Sequence, residues 1–329
     1  MQLWIFRNAH FSFLDWRRKA YVVSAAAILA GIVAMVVNIF AIGYWQNYGV
    51  DFTGGTRVVV QVDATTTVGD LREALGGAQA PPISEFGSEN EYTVRVPLGG
   101  AGEPEEVANE LAAVLEASPL VADFEVLDRE FVGPTIGGEL QTRALLAIMV
   151  SFIATLIYIA ARFEFRFGLA AVIATVHDIL LTLGFLALFR VEISLPTVAA
   201  ILTVIGYSLN DTIVVFDRIR ENLNRKGGRR EDPQALMTRS INEVLPRTVM
   251  TSGTTLAVLT ALLILGGAVI RDFTLVLILG VVIGTYSSIF VATPALLEIQ
   301  RRWGTKEEAE RRKAQRRRGR RGRRQAIPV

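Results

Sequence analysis

Between Leu195 and Phe216 the chain is apolar for long enough to cross a bilayer, yet Asn210 and Asp211 lie inside that run. A carboxylate in hydrocarbon costs about 2.5 kcal/mol or more, so such a residue pairs, lines a cavity or carries a proton. On a helix Thr203, Tyr207, Asn210 and Asp211 fall at i, i+4, i+7 and i+8. The spacing predicts a polar stripe turned toward other helices rather than lipid. Two readings stay open from the stripe alone: a structural clamp between helices, or a protonatable group in an ion path.

Five further apolar runs have spanning length, at about 20–43, 140–161, 167–189, 247–268 and 273–299. The sequence predicts an α-helical polytopic membrane protein with six transmembrane helices. The first run is longer than a signal-peptide core. Tyr44-Trp45-Gln46 follows it in place of a small-x-small cleavage site, so it is expected to remain as an anchor. The short connections at 162–166 and 190–192 force antiparallel hairpins. A basic loop is expected over 217–246, with a helix over 233–245 and a break at Gly227-Gly228.

Charge is segregated along the chain. Residues 44–139 hold four arginines, no lysine and 17 acidic residues, whereas 301–329 hold 13 Lys or Arg and three Glu. The positive-inside rule then places 1–19, the 217–246 loop and the 300–329 tail in the cytoplasm, with both termini there. The acidic insert falls outside the cytoplasm. The basic tail is expected to be disordered and to hold anionic membrane lipids, with no specific nucleic-acid target.

The 44–139 insert alternates strands and helices. Strands are expected over 56–64, 83–87, 91–97 and 122–132, and helices over 68–75 and 104–117, where Val107, Leu111, Val114 and Leu115 share a face. The order β-α-β-β-α-β predicts a small α+β, ferredoxin-like extracytoplasmic domain between the first and second spans. The insert has no Gly-rich phosphate loop and no metal cluster. The chain has no cysteine and two distant histidines, His10 and His177. No catalytic residues, metal or cofactor are therefore expected.

Two further groups inside the spans carry charge or a proton. His177 and Asp178 sit midway along the 167–189 run, as a buried tying pair or as a relay. Arg247 opens the next-to-last span, with Thr248, Thr251, Ser252 and Thr255 striping one face. That helix begins on the side where the Asp211 helix ends, so Arg247 and Asp211 can reach a similar depth. A guanidinium there favours the charged carboxylate, and its withdrawal lets the acid take a proton. Snorkelling of Arg247 to head groups is the plainer reading.

Taken together, GVDFTGGT (49–56), FVGPTIGGEL (131–140), RFEFRFGLAAVIATVHD (162–178), VIGYSLNDTIVVFDRIREN (204–222) and PRTVMTSGTTL (246–256) closely resemble the SecF family of bacterial protein-export subunits. That family is related to the resistance-nodulation-division transporters, and the resemblance covers about residues 1–300. Its motif positions here are Gly49, Asp51, Phe52, Gly54, Gly55, Gly206 and Tyr207. The resemblance implies SecD, the SecYEG channel, a YajC-like accessory subunit and the translocating preprotein as partners. It implies use of the proton-motive force at the bacterial cytoplasmic membrane, with Asp211 and Arg247, beside Asn210, as proton-path residues and His177 and Asp178 as weaker ones. It does not separate proton from sodium coupling. The competing readings are a half-transporter exporting small hydrophobic molecules and a non-conducting scaffold of the export channel.

Overall fold

In the computed structural model, residues 10–77, 80–86, 90–96, 104–225, 231–267 and 270–302 are described. The Gly227-Gly228 break, most of the turn before Asn90 and the tail beyond 302 lie outside them. Among the described residues, six helices have the length and apolarity to cross a membrane. They are α1 (Arg17–Ile42), α5 (Pro134–Arg162), α6 (Phe165–Phe189), α7 (Leu195–Asn224), α8 (Pro233–Leu265) and α9 (Arg271–Ser287). A wide π turn over Ser288–Ala292 follows α9, and the helix then continues to Arg302.

The two helices flanking the expected basic loop reach much further than the apolar runs alone. α7 passes Asp217 to reach Asn224, and α8 starts at Pro233 and carries Pro246 in its interior. Polar residues continue both helices beyond the apolar stretch. Asp232 caps α8 by accepting from the Ala235 N–H at 3.0 Å. The helix expected over 233–245 is thus the first part of α8, and of the expected loop only residues 225–232 lie between the two helices.

α6, α7 and α9 form the centre of the bundle, while α1, α5 and α8 lie at its periphery and leave most of their surface exposed. Small residues set the closest approaches. A Cβ on Gly31 of α1 would stand 2.5 Å from the Gly184 Cα of α6. On α9, a Cβ at Gly280 would run into Val204 of α7, and one at Gly284 would lie 2.9 Å from the Ser208 Cβ. Packing of this kind brings backbones together where lipid supplies no hydrophobic drive.

The chain from Gly43 to Gly133 forms an α/β domain at one end of the bundle. A short helix, α2 (Val50–Thr53), leads into strand β1 (Gly55–Val62). Helix α3 (Val68–Ala74), β2 (Ile83–Glu85), β3 (Glu91–Val96), α4 (Pro104–Glu116) and β4 (Phe124–Val132) follow. The strands form one antiparallel sheet in the order β2-β3-β1-β4. Val58, Val60 and Val62 alternate into a core with Leu71, Val94, Ala108, Leu111 and Leu115. Val114, expected on the buried face of α4, is exposed, because the buried stripe runs through 108, 111 and 115. The opposite sheet face turns toward the bundle, and Arg57, Thr93 and Arg95 line a cleft of about 500 Å³ there.

Candidate functional site

α7 is the element that joins the polar interior to the α/β domain. Asp211 sits on it 16 positions after Leu195, roughly 24 Å along the axis at about 1.5 Å per residue. Its side chain is buried, and Oδ2 has no hydrogen-bond partner among the described residues. Thr285 of α9 and the charge of Arg247 both act on the carboxylate. The Thr285 hydroxyl meets Ser252 of α8 at 2.7 Å, so Asp211 lies where α7, α8 and α9 converge.

Arg247 and Asn210 are placed differently from the expected stripe. Arg247 is exposed on α8 and forms no ion pair within 4.0 Å among the described residues. Asn210 is exposed as well, because neighbouring residues stand about 100° apart around a helix. It lies on the exposed side of α7 with Thr203 and Gly206, and Thr251 and Thr254 of the neighbouring α8 are exposed as well. Tyr207 lies at the edge of that surface and donates to Thr255 Oγ1 at 3.5 Å. The result is one polar face on the outside of a membrane bundle, with the buried Asp211 just behind it.

His177 and Asp178 are more central than sequence alone ranked them. Asp178 Oδ2 accepts from Ser208 of α7 and from Ser287 of α9, the latter at 2.8 Å. Its Oδ1 lies 2.8 Å from His177 Nδ1. His177 Nε2 lies 2.9 Å from Ser24 of α1, and Ser24 lies 3.1 Å from the Tyr286 hydroxyl. One cluster thus ties α1, α6, α7 and α9 together. The three serines went unnoticed in the sequence because small hydroxyl residues in apolar helices read as packing fillers; only the helix crossings give them partners.

The Gly49–Thr56 segment docks the α/β domain onto the bundle. Gly49 N–H donates to the Ile193 carbonyl at 2.9 Å, and Ile193 N–H donates to the Asn47 carbonyl at 2.8 Å. A side chain at Gly49 would collide with Glu192. Asp51 is buried and its Oδ2 accepts from Leu195 N–H at 2.7 Å, so it caps the first turn of α7 from a position distant in sequence. Phe52 packs with Leu186, Ile193, Val198 and Ile201. Gly54 and Gly55 take φ of 70° and 128°, which lets the chain turn out of α2 and into β1.

A second contact couples sheet to bundle. Arg95 of β3 pairs with Glu192 in the α6–α7 connection and donates to Asn47 Oδ1 at 3.1 Å. Both side chains of the pair are largely buried, at 14% and 16% exposure. Burial pushes the Glu192 carboxyl above its ordinary range, and the Arg95 charge opposes that rise. Neither Asp51 as a cap nor Glu192 as a latch is visible from local spacing, since both contacts join distant parts of the chain.

These features define a class: a multi-pass helical membrane protein whose carboxylate-bearing central helix is keyed at one end into an inserted α/β domain. Residues 114–302 match the model described as "Protein export membrane protein SecD/SecF, C-terminal", and residues 47–66 match the SecD/SecF GG motif. The chain is 44% identical over 313 residues to the protein translocase subunit SecF of Gemmatimonas aurantiaca, covering 93% of this chain and 92% of that one. It is 38% identical over 292 residues to the Escherichia coli O157:H7 subunit, covering 88% of each. A crystal structure of SecDF from Thermus thermophilus, described as a translocon-associated membrane protein, superposes with a TM-score of 0.77 at 38% identity. That likeness covers 91% of this chain, which spans 40% of the length of the solved one. The chain belongs to the SecD/SecF family of protein export membrane proteins, in its SecF branch.

Proposed function

We propose that this chain works with a SecD partner as the proton-driven accessory unit of the protein-export channel, without covalent chemistry of its own. The observation that carries the proposal is Asp211: a buried carboxylate with an unpaired oxygen, directly behind an exposed intramembrane face bearing Asn210 and Arg247. An arginine and an asparagine facing acyl chains are costly, so the face calls for a second polar bundle to cover it. The two chains then enclose Asp211, with Arg247 and Asn210 lining its access. Coupling to sodium in place of protons is the competing ion choice.

In this reading the α/β domain, a ferredoxin-like unit by strand order, lies outside the cytoplasm, both chain termini lie inside, and the domain meets the emerging preprotein. The SecYEG channel and a YajC-like subunit are the further partners. A change of charge at Asp211 alters the packing of α7 against α9. The movement reaches the domain through the Asp51 cap and the Arg95–Glu192 pair at the other end of α7. One elementary charge crossing 100 mV supplies about 2.3 kcal/mol, enough to change a two-state ratio about fifty-fold.

The test is preprotein export into vesicles under separate proton and sodium gradients. Asp211→Asn is expected to keep assembly with SecD and to lose the gradient-dependent part of export. Full gradient dependence in an assembled Asp211→Asn complex would leave a scaffold role in its place.

A further inference from the structure

We propose that His177 and Asp178 form a second proton-binding site, holding one proton between them and wired to α1 by hydrogen bonds. The argument is a count of hydrogens along the chain of contacts from Asp178 to Ala20. Tyr286 OH lies 3.0 Å from the Ala20 carbonyl, which can only accept, so this link takes the single tyrosine hydroxyl hydrogen. The Ser24–Tyr286 contact at 3.1 Å must then use the serine hydrogen. The Ser24–His177 contact at 2.9 Å is left to be filled from the ring, so Nε2 carries a hydrogen.

The last link, His177 Nδ1 to Asp178 Oδ1 at 2.8 Å, needs one hydrogen more. Either Nδ1 is also protonated, giving an imidazolium beside a carboxylate, or the acid is protonated and donates to Nδ1. Both arrangements hold one proton beyond a carboxylate beside a neutral imidazole. Ser208 brings its own hydrogen to the opposite carboxylate oxygen; the Ser287 hydroxyl lies 2.8 Å from that oxygen and 3.2 Å from the Gly284 carbonyl, and with its one hydrogen on the shorter contact the count is unchanged.

The surroundings agree with a pair of zero net charge. Facing it are Ser24 and the Ala20 backbone from α1, Ser208 from α7, and Tyr286 and Ser287 from α9. Among the described residues no Lys or Arg pairs with Asp178, and the histidine is its only ionic partner. Asp178 is 2% exposed, a place where a lone carboxylate would be strongly disfavoured. The nearest other acid along α7 is Asp211, three residues beyond Ser208. Loss of the shared proton obliges Ser24 to turn its hydroxyl from Tyr286 to Nε2. The Ser24–Tyr286 link between α1 and α9 is then lost, and among the described residues the two helices are left with the Tyr286–Ala20 hydrogen bond alone. A station on the path served by Asp211 rests on the proton-coupled reading above; the hydrogen count does not.

The chain has two histidines, which makes the test direct. The full chain is labelled with ¹⁵N-histidine and placed with its partner bundle in lipid nanodiscs, and His10→Gln assigns the two rings. At neutral pH, Nε2 of His177 is expected to be of the protonated type. An unprotonated Nε2 with a protonated Nδ1 overturns the proposal. In Tyr286→Phe the Ser24 hydroxyl is free to donate to Nε2, so the protonated-to-unprotonated ratio at a given pH should fall by about 2- to 13-fold, the worth of one hydrogen bond. Ser24→Ala should shift it in the same direction, and a ratio unmoved in both variants overturns the wiring. These signals do not depend on transport, so they stand or fall separately from the Asp211→Asn export result.

Discussion

Arg95→Ala should undock the α/β domain because it strands a buried carboxylate. The substitution leaves Glu192 ionised in surroundings that already disfavour its charge. Breaking a fully buried pair costs about 3–5 kcal/mol and an exposed one about 1 or less. At 14% and 16% exposure this pair falls between, so about 2 kcal/mol is expected, or roughly a 30-fold drop in the docked-to-undocked ratio. In an E192Q background no charge is stranded. There the same Arg95 change should cost only about 1 kcal/mol, the hydrogen bond to Asn47. Because the natural chain lacks cysteine, a spin-label pair at exposed Glu125→Cys and Leu265→Cys reports the domain position without background. Acidity gives an independent arm. The docked state raises the Glu192 carboxyl above 4.5, so the neutral acid docks better than the ionised one. Docking should therefore strengthen as pH falls through that raised value and weaken as pH climbs through it. Equal losses for Arg95→Ala in both backgrounds, with docking indifferent to pH, would refute the reasoning.

Three further outcomes follow from the packing. Asp51→Ala removes the acceptor at the first turn of α7 and should lower stability by about 1–2 kcal/mol, a fall of a few degrees in a thermal melt; Asp51→Asn should recover most of it. Gly31→Leu forces α1 off α6 at their closest approach and should make α1 sensitive to protease, with Gly31→Ala milder at about 1–3 kcal/mol. Gly280→Ala drives a methyl into Val204 and should impair assembly with the partner bundle, and adding Val204→Ala should restore it; failure of that rescue would remove the steric account.

The spans, the inserted domain and its alternating strands were legible because each rests on local periodicity. Asp211 stood out for the same reason, as a charge in an apolar run. What stayed hidden depends on which way a residue turns and what it meets. Asn210 and Asp211 are adjacent in sequence yet face a polar outer surface and a helix seam respectively. Pro246 reads as a boundary, and the sequence gives no sign that the helix N-terminal to it continues unbroken through it. The Asp51 cap and the Arg95–Glu192 pair join residues about a hundred or more positions apart, which no short window can register.

The polar residues of α1 also set an order of biosynthesis. Ser24 and Asn38 find their partners on His177 and the Ala187 carbonyl, 153 and 149 residues later in the chain. When α1 leaves the ribosome, neither partner has yet been made. The nascent helix must wait with an amide and a hydroxyl unpaired, sheltered by the insertion machinery or drawn toward the water boundary, until α6 emerges and closes over it.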